Sequence, residues 1–177
     1  MSRLCVAAML FLVTLLAAAR AADIDRGRIL EGKGVAGVRL GMTAAEVKRK
    51  LGAPESANHD GAGNLLFMSY HASQNFGVYI GDENRVRMII VSVEGGGFCT
   101  SYKACLYREG GLSKIKARHG SKLLRFADVD GSITYRLLTK LKGRPVLTEW
   151  TPVKDRDGVV QVAMLYWEGP IDRSSFD

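Results

Sequence analysis

Two stretches about 70 residues apart begin alike, and each is followed by the same succession of patterns. Gly41-Met42-Thr43 leads into Ala44 to Leu51, and Gly111-Leu112-Ser113 leads into Lys114 to His119. In the first stretch Thr43 and Glu46 have the Thr-x-x-Glu spacing of a capping box. There the Thr hydroxyl accepts from the Glu46 amide and the carboxylate reaches back to the Thr43 amide. Val47 and Leu51 fall four apart beside Ala44, Lys48, Arg49 and Lys50 fill the last turn, and Gly52 and Pro54 end the run. The spacing predicts a helix from about Thr43 to Leu51. In the second stretch Ser113 is placed to cap a short helix that carries Ile115 and ends at His119 and Gly120.

Each helical stretch precedes β-branched and aromatic runs. They cover 64–71, 76–80 and 85–93 in the first half, and 122–127, 132–139, 146–152 and 159–167 in the second. Short turns, among them Asp130-Gly131 and Asp157-Gly158, make these antiparallel hairpins. One helix with three or four strands cannot cover both faces of its own sheet. The expected fold class is therefore α+β: two tandem helix-plus-antiparallel-sheet repeats, joined edge to edge into one longer sheet with helices on one face. The expected organisation is a signal peptide at 1–21, a mobile leader at 22–34 and a first repeat at 35–94. A linker with a disulfide loop follows at 95–110, opening on Gly95-Gly96-Gly97. A second repeat at 111–170 and a tail at 171–177 complete it.

The signal reading rests on Arg3, the apolar run Leu4 to Ala19, and small residues at Ala19 and Ala21 before a cleavage point at Ala22. That run is too short for a spanning helix, and no apolar stretch of spanning length follows it. Position 22 is not cysteine, so no lipid anchor is expected there. The expected location is the periplasm or the exterior. Cys5 leaves with the signal, and Cys99 and Cys105 remain in an oxidising compartment, where a disulfide is favoured. A redox pair would read Cys-x-x-Cys, and a zinc site would need ligands from His59, His71 and His119, which show no ligand spacing. No metal and no cofactor are expected.

Charge is unevenly placed. Residues 22–102 carry 9 basic and 9 acidic side chains, residues 103–144 carry 11 and 3, and residues 145–177 carry 3 and 6. The basic excess centres on Lys114, Lys116, Arg118, Lys122 and Arg125. It reads either as a solvated face or as the footprint of an acidic partner such as an envelope polymer. Nucleic acid is not expected, because no recognised binding motif is present.

Strand alternation supplies a second candidate surface. Phe76, Val78 and Ile80, then Val86, Met88 and Ile90, then Ile133, Tyr135 and Leu137, then Val160, Val162 and Met164 form the apolar sets assigned to the helix-covered face. Tyr79, Arg85, Arg87, Arg136, Gln161 and Trp167 fall on the open face, with Trp150 beside them; both tryptophans also fit a core position. Aromatic and Arg side chains together are the types that dominate binding hot spots.

No nucleophile elbow, phosphate loop, His-Glu-x-x-His or dinucleotide fingerprint is present. The Asp-x-Asp-Gly stretches at 128–131 and 155–158 lack the further ligands of a calcium loop and read as turns.

Val38-Arg39-Leu40-Gly41-Met42-Thr43, with Glu46-Val47 and Leu51-Gly52-Ala53-Pro54, resembles the opening motif of the SmpA/OmlA family of small outer-membrane-assembly lipoproteins. The tandem order is similar to the β-lactamase inhibitory protein fold, in which two helix-plus-sheet repeats form one concave sheet. What the resemblance implies is chiefly fold. The functional expectation is a non-catalytic binding module that takes a protein or an acidic envelope polymer on its open face, in an inhibitor-like mode in its narrowest form. The alternatives are a small secreted hydrolase with a His–carboxylate pair at His71 or His119, and a polyanion binder using residues 103–144.

Overall fold

The Thr43–Glu46 box forms as its spacing requires. The Glu46 amide donates to Thr43 Oγ1 at 3.2 Å, and the Thr43 amide donates to Glu46 Oε2 at 2.7 Å. These bonds from Thr43, the backbone one foremost, hold the Glu46 carboxyl below the usual carboxylate range. The helix they start, α1, runs Ala44–Leu51 and buries Ala44 and Val47. It stops at Gly52, whose φ of 89° lies in the left-handed region that favours glycine.

The computed structural model describes residues 27–70, 76–92, 97–128 and 130–169. The signal peptide expected at 1–21, leader residues 22–26, His71, Gly95-Gly96 and the tail 171–177 lie outside the described residues.

Three two-residue strands come first: β1 Ile29–Leu30, β2 Gly34–Val35 and β3 Val38–Arg39, a small antiparallel sheet. After α1 come β4 Ser56–His59, β5 Leu65–Tyr70, β6 Phe76–Gly81 and β7 Arg85–Val91. The second helix, α2, spans Gly111–His119 and precedes β8 Leu123–Ala127, β9 Ile133–Leu141, β10 Arg144–Pro152 and β11 Val159–Tyr166. The last eight strands form one sheet in the order β4-β5-β6-β7-β11-β10-β9-β8, so the two meanders meet through their final strands.

The α+β expectation is corrected. Strands dominate, in sheets of eight and three, and the two short helices are the only α-helices among the described residues. The reason is dimensional. Helices of eight and nine residues are only about 12–14 Å long at 1.5 Å per residue. Eight strands at about 4.8 Å spacing make a far wider surface. The helices therefore do not cover the face by themselves. Ile29, Val35 and Val38 of the small sheet and Phe98 and Leu106 of the disulfide loop share the work with Val47 and Ile115. Under them lies the row Met68-Val78-Ile89-Met164-Thr148-Leu137, read across six paired strands and fully or nearly buried. Its one polar member, Thr148, accepts the Gly32 amide at 2.9 Å.

Residues 27–34 of the expected leader are bonded into the fold. The Ile29 amide donates to the Cys99 carbonyl at 2.9 Å, and Ile29 is buried. Cys99 and Cys105 are bonded to each other.

Ser113 does not cap α2. That helix begins two residues earlier, after Gly110, and the Ser113 amide donates to the Asp157 carboxylate at 2.8 Å. Asp157 of the β10–β11 turn thus supplies the cap from another element. No described helix is long and apolar enough to cross a membrane.

Candidate functional site

The face of the eight-stranded sheet opposite the core carries a row of large apolar side chains. Cα pairings link Phe67 to Tyr79, Tyr79 to Met88, Met88 to Leu165, Leu165 to Leu147 and Leu147 to Leu138. Directly paired residues share a face, so these six side chains run side by side across β5, β6, β7, β11, β10 and β9. None belongs to the core cluster on the other face. Tyr79 is 37% exposed and Leu147 only 3%.

The next row is Ser69-Gly77-Ile90-Ala163-Glu149-Arg136, small at one end and charged at the other. A Cβ at Gly77 would come within 2.8 Å of the Phe67 ring, so only glycine lets that ring lie over the strand. Phe67 and Tyr79 meet at 4.6 Å between ring centroids. Around them is a depression of about 190 Å³ lined by Phe67, Ser69, Gly77, Tyr79, Ile90 and Gln161. It offers aromatic and aliphatic walls with Ser69 and Gln161 as its polar lining, a shape suited to one apolar side chain. At the other end Arg136 Nε donates to Glu149 Oε2 at 2.7 Å, and the guanidinium lies 3.7 Å from the Phe126 ring centroid.

Of the residues expected on this face, Tyr79 and Gln161 come together at the depression and Arg136 lies further along the sheet. Trp150 does not join them. It is 1% exposed, on the core face beside Tyr135 and Val162, and its indole N–H has no partner among the described residues. Trp167 is half-buried just past β11. Arg85 sits at the β6–β7 hairpin, donating to the Gly41 carbonyl at 3.0 Å and to Glu83 at 3.3 Å. Arg87 is exposed, 3.7 Å from Glu168.

Alternation places Met88 and Ile90 on the covered face, and the structure places them on the opposite one. The pairing of β6 with β7 shifts register between Tyr79 and Ile80, leaving Arg87 as the extra residue. A bulge of this kind reverses the side-chain parity beyond it. Val86 and Ile89, three apart, are both buried as a result. The same device recurs at Thr151/Pro152, where Val160 is extra and Val159 and Val162 both face the core. Sequence reading missed Phe67, Gly77, Met88, Leu138, Leu147 and Leu165. The signal available was Met88-Ile89-Ile90-Val91, an unbroken apolar run that breaks strict alternation.

A larger cleft of about 740 Å³ lies at one end of the sheet. Lys48, His59, Asp60, Asp82, Glu83 and Arg87 line it with charges of both signs. Asp60 is occupied by its own loop: it accepts from Asn64 Nδ2 at 2.9 Å and from the Asn64 and Ala62 amides at 2.8 and 2.9 Å. Those bonds, the Asn64 side chain first, lower its pKa.

His119 Nε2 lies 2.9 Å from Glu31 Oε1, and the Tyr102 hydroxyl donates to the same oxygen. The imidazole and carboxylate side chains are only 13% and 16% exposed, and they line neither cavity. Burial, and after it the Glu31 carboxylate, pushes the Tyr102 hydroxyl's pKa far up. The cluster fastens the β1–β2 turn to the end of α2.

The basic residues Lys114, Lys116, Arg118, Lys122 and Arg125 are all exposed. Lys116 Nζ lies 4.7 Å from the Tyr135 ring centroid, and Lys114 Nζ donates to the Lys103 carbonyl at 3.2 Å.

No family model and no curated protein matches the chain. It is similar to two solved structures. One is an extracellular protein containing an SCP domain from Bacillus anthracis str. Ames, with 12% identity, 76% of this chain and 51% of that one covered, and a TM-score of 0.47. The chain thus spans about half that protein's length. The other is a DUF4309 family protein from Bacillus subtilis subsp. subtilis str. 168, with 14% identity, 86% and 96% covered, and a TM-score of 0.48. Likenesses this distant transfer no activity, and they do not bear on the SmpA/OmlA resemblance.

Proposed function

We propose that this chain is a non-catalytic binding module of the bacterial envelope or exterior, and that it takes a protein partner on the sheet face opposite its core. The observation that carries the reading is the six-residue apolar row from Phe67 to Leu138, with the aromatic depression at its Tyr79 end. A contiguous apolar surface rimmed by polar groups is what partner-binding faces present. The signal-like start and the bonded Cys99–Cys105 pair support export. The SmpA/OmlA-like motif supports an envelope setting; its Val38, Leu40 and Val47 are core residues, so it speaks for fold before partner. The hydrolase reading loses ground because the close His119–Glu31 pair sits outside both cavities.

The test is affinity capture from envelope extract with the signal-free chain, in parallel with Tyr79→Ala/Met88→Ser and with Arg118→Ala/Lys122→Ala. A protein retained by wild type and by the basic-patch variant, and lost by the face variant, supports the reading. Equal retention by all three overturns it. Turnover of a substrate that a single substitution abolishes would overturn it too.

A further inference from the structure

Among the described residues β4 and β8 are the two edges of the eight-stranded sheet, and they differ. β4 is polar, four residues long, and its register shifts between Asn58 and His59. Bulged, short polar edges resist the addition of another strand. β8 is five residues long, Leu123-Leu124-Arg125-Phe126-Ala127, and pairs with β9 without a shift. It presents a regular, partly apolar edge.

The direction of its main-chain groups follows from one bond. The Asp128 amide donates to the Ser132 carbonyl at 2.8 Å at the hairpin end. In an antiparallel ladder bonded and non-bonded pairs alternate. Phe126 and Leu124 therefore bond inward to β9, while Ala127, Arg125 and Leu123 turn their N–H and C=O groups away from it. Leu123 spends its amide on the Gly120 carbonyl. Arg125 and Ala127, both exposed, keep theirs directed outward.

The side chains flanking this edge differ between its faces. Arg125 pairs with Tyr135, and the Lys116 ammonium lies over that same ring, so two cations converge on the helix side of the edge. Lys122 immediately precedes the strand. On the opposite side Leu124 and Phe126 are half-buried, and the nearby Arg136 is already paired with Glu149. A second copy of this chain is a poor occupant, because antiparallel pairing of two β8 strands about their centres would set Arg125 against Arg125. Like charges directly opposite are destabilising.

We propose that β8 is a strand-addition site for an extended acidic segment of another protein. Every second side chain of that segment is Asp or Glu and meets Arg125 and Lys116 on the helix side of the edge. The intervening side chains are apolar and continue the Leu124/Phe126 surface. The main-chain ladder supplies affinity and the alternation supplies specificity. This site is separate from the Tyr79–Leu138 row and does not depend on it.

The test uses the full signal-free chain and a blocked, fluorescent peptide of alternating Glu and Val, about nine residues long. A second peptide has Pro at its centre and a third has Lys for Glu. Anisotropy is expected to show binding of the first, with the other two weaker by about tenfold or more. Arg125→Glu and Ala127→Pro are expected to weaken the first peptide similarly, with melting close to wild type, because proline is tolerated on an outward-facing edge. Tyr79→Ala/Met88→Ser leaves it unchanged, which separates this proposal from the face reading. No binding at about 1 mM peptide, equal binding of the proline peptide, indifference to Arg125→Glu, or a dimer formed through β8 would overturn it.

Discussion

The Asp157 carboxylate accepts the Ser113 amide at 2.8 Å, so the start of α2 is capped by the turn between β10 and β11. An acceptor at a helix start satisfies one of its orphan amides and complements the positive end of the helix dipole. Asp157→Ala is expected to lower stability by about 1 kcal/mol in urea unfolding, with Asp157→Asn retaining part of it. Ser113→Ala is expected to cost much less, because the bond uses the Ser113 main chain. Equal losses at the two positions would contradict this assignment.

At α1 the cap is local and pH-dependent. Thr43 lowers the folded-state pKa of Glu46. A depressed carboxyl contributes stability above its unfolded pKa, and that contribution is lost as pH falls through the folded value. Glu46→Gln is therefore expected to melt below wild type at neutral pH. The gap narrows as the pH drops below about 4. A gap that stays constant from neutral to acid would show that the carboxylate's charge contributes nothing.

The two tryptophans should separate in solution. Trp150 is buried and Trp167 half-buried. Trp167→Phe, which leaves Trp150, is expected to give blue-shifted emission that acrylamide quenches poorly. Trp150→Phe is expected to leave a redder, readily quenched signal. Trp150→Ala should cost about 3–5 kcal/mol, as large truncations in a packed core do.

Reduction should weaken the fold without abolishing it. Cys99 and Cys105 close a loop of six-residue separation, a short one. The chain-entropy estimate for such a loop is about 2–3 kcal/mol. The buried Phe98 and Leu106 flank the loop and anchor both its ends in the core. The double variant Cys99→Ser/Cys105→Ser is expected to remain cooperative with a lowered melting temperature. Two alkylatable thiols in the native signal-free protein would refute the bond.

What the sequence discloses here is what neighbours in the chain decide. The Thr43–Glu46 box, the Gly52 stop and most strand segments follow from spacing alone. Asp157 at the head of α2 could not be read that way, since the two partners lie 44 residues apart. The face opposite the core was legible for Tyr79 and Arg136, where alternation is unbroken, and for Gln161, which lies on the regular side of the β11 bulge. It was illegible at Met88 and Ile90, because one extra residue in β7 reverses the parity and no local motif marks it. Trp150 illustrates a further limit: period two puts it on one of two faces, and only the pairing with Tyr135 and Val162 says which is buried. The small sheet was missed because strands of two residues carry too little pattern to read.

Docking of a partner on the apolar row opposite the core is the proposed function. Methyl-labelled protein, observed by NMR as a captured partner is added, tests it most directly. Docking there is expected to shift or broaden the half-buried Met88, Ile90, Leu138 and Leu165 methyls, while the buried methyls of Met68, Val78 and Met164 stay in place. Perturbation that spares the row and falls on α2 and the basic segment would contradict it.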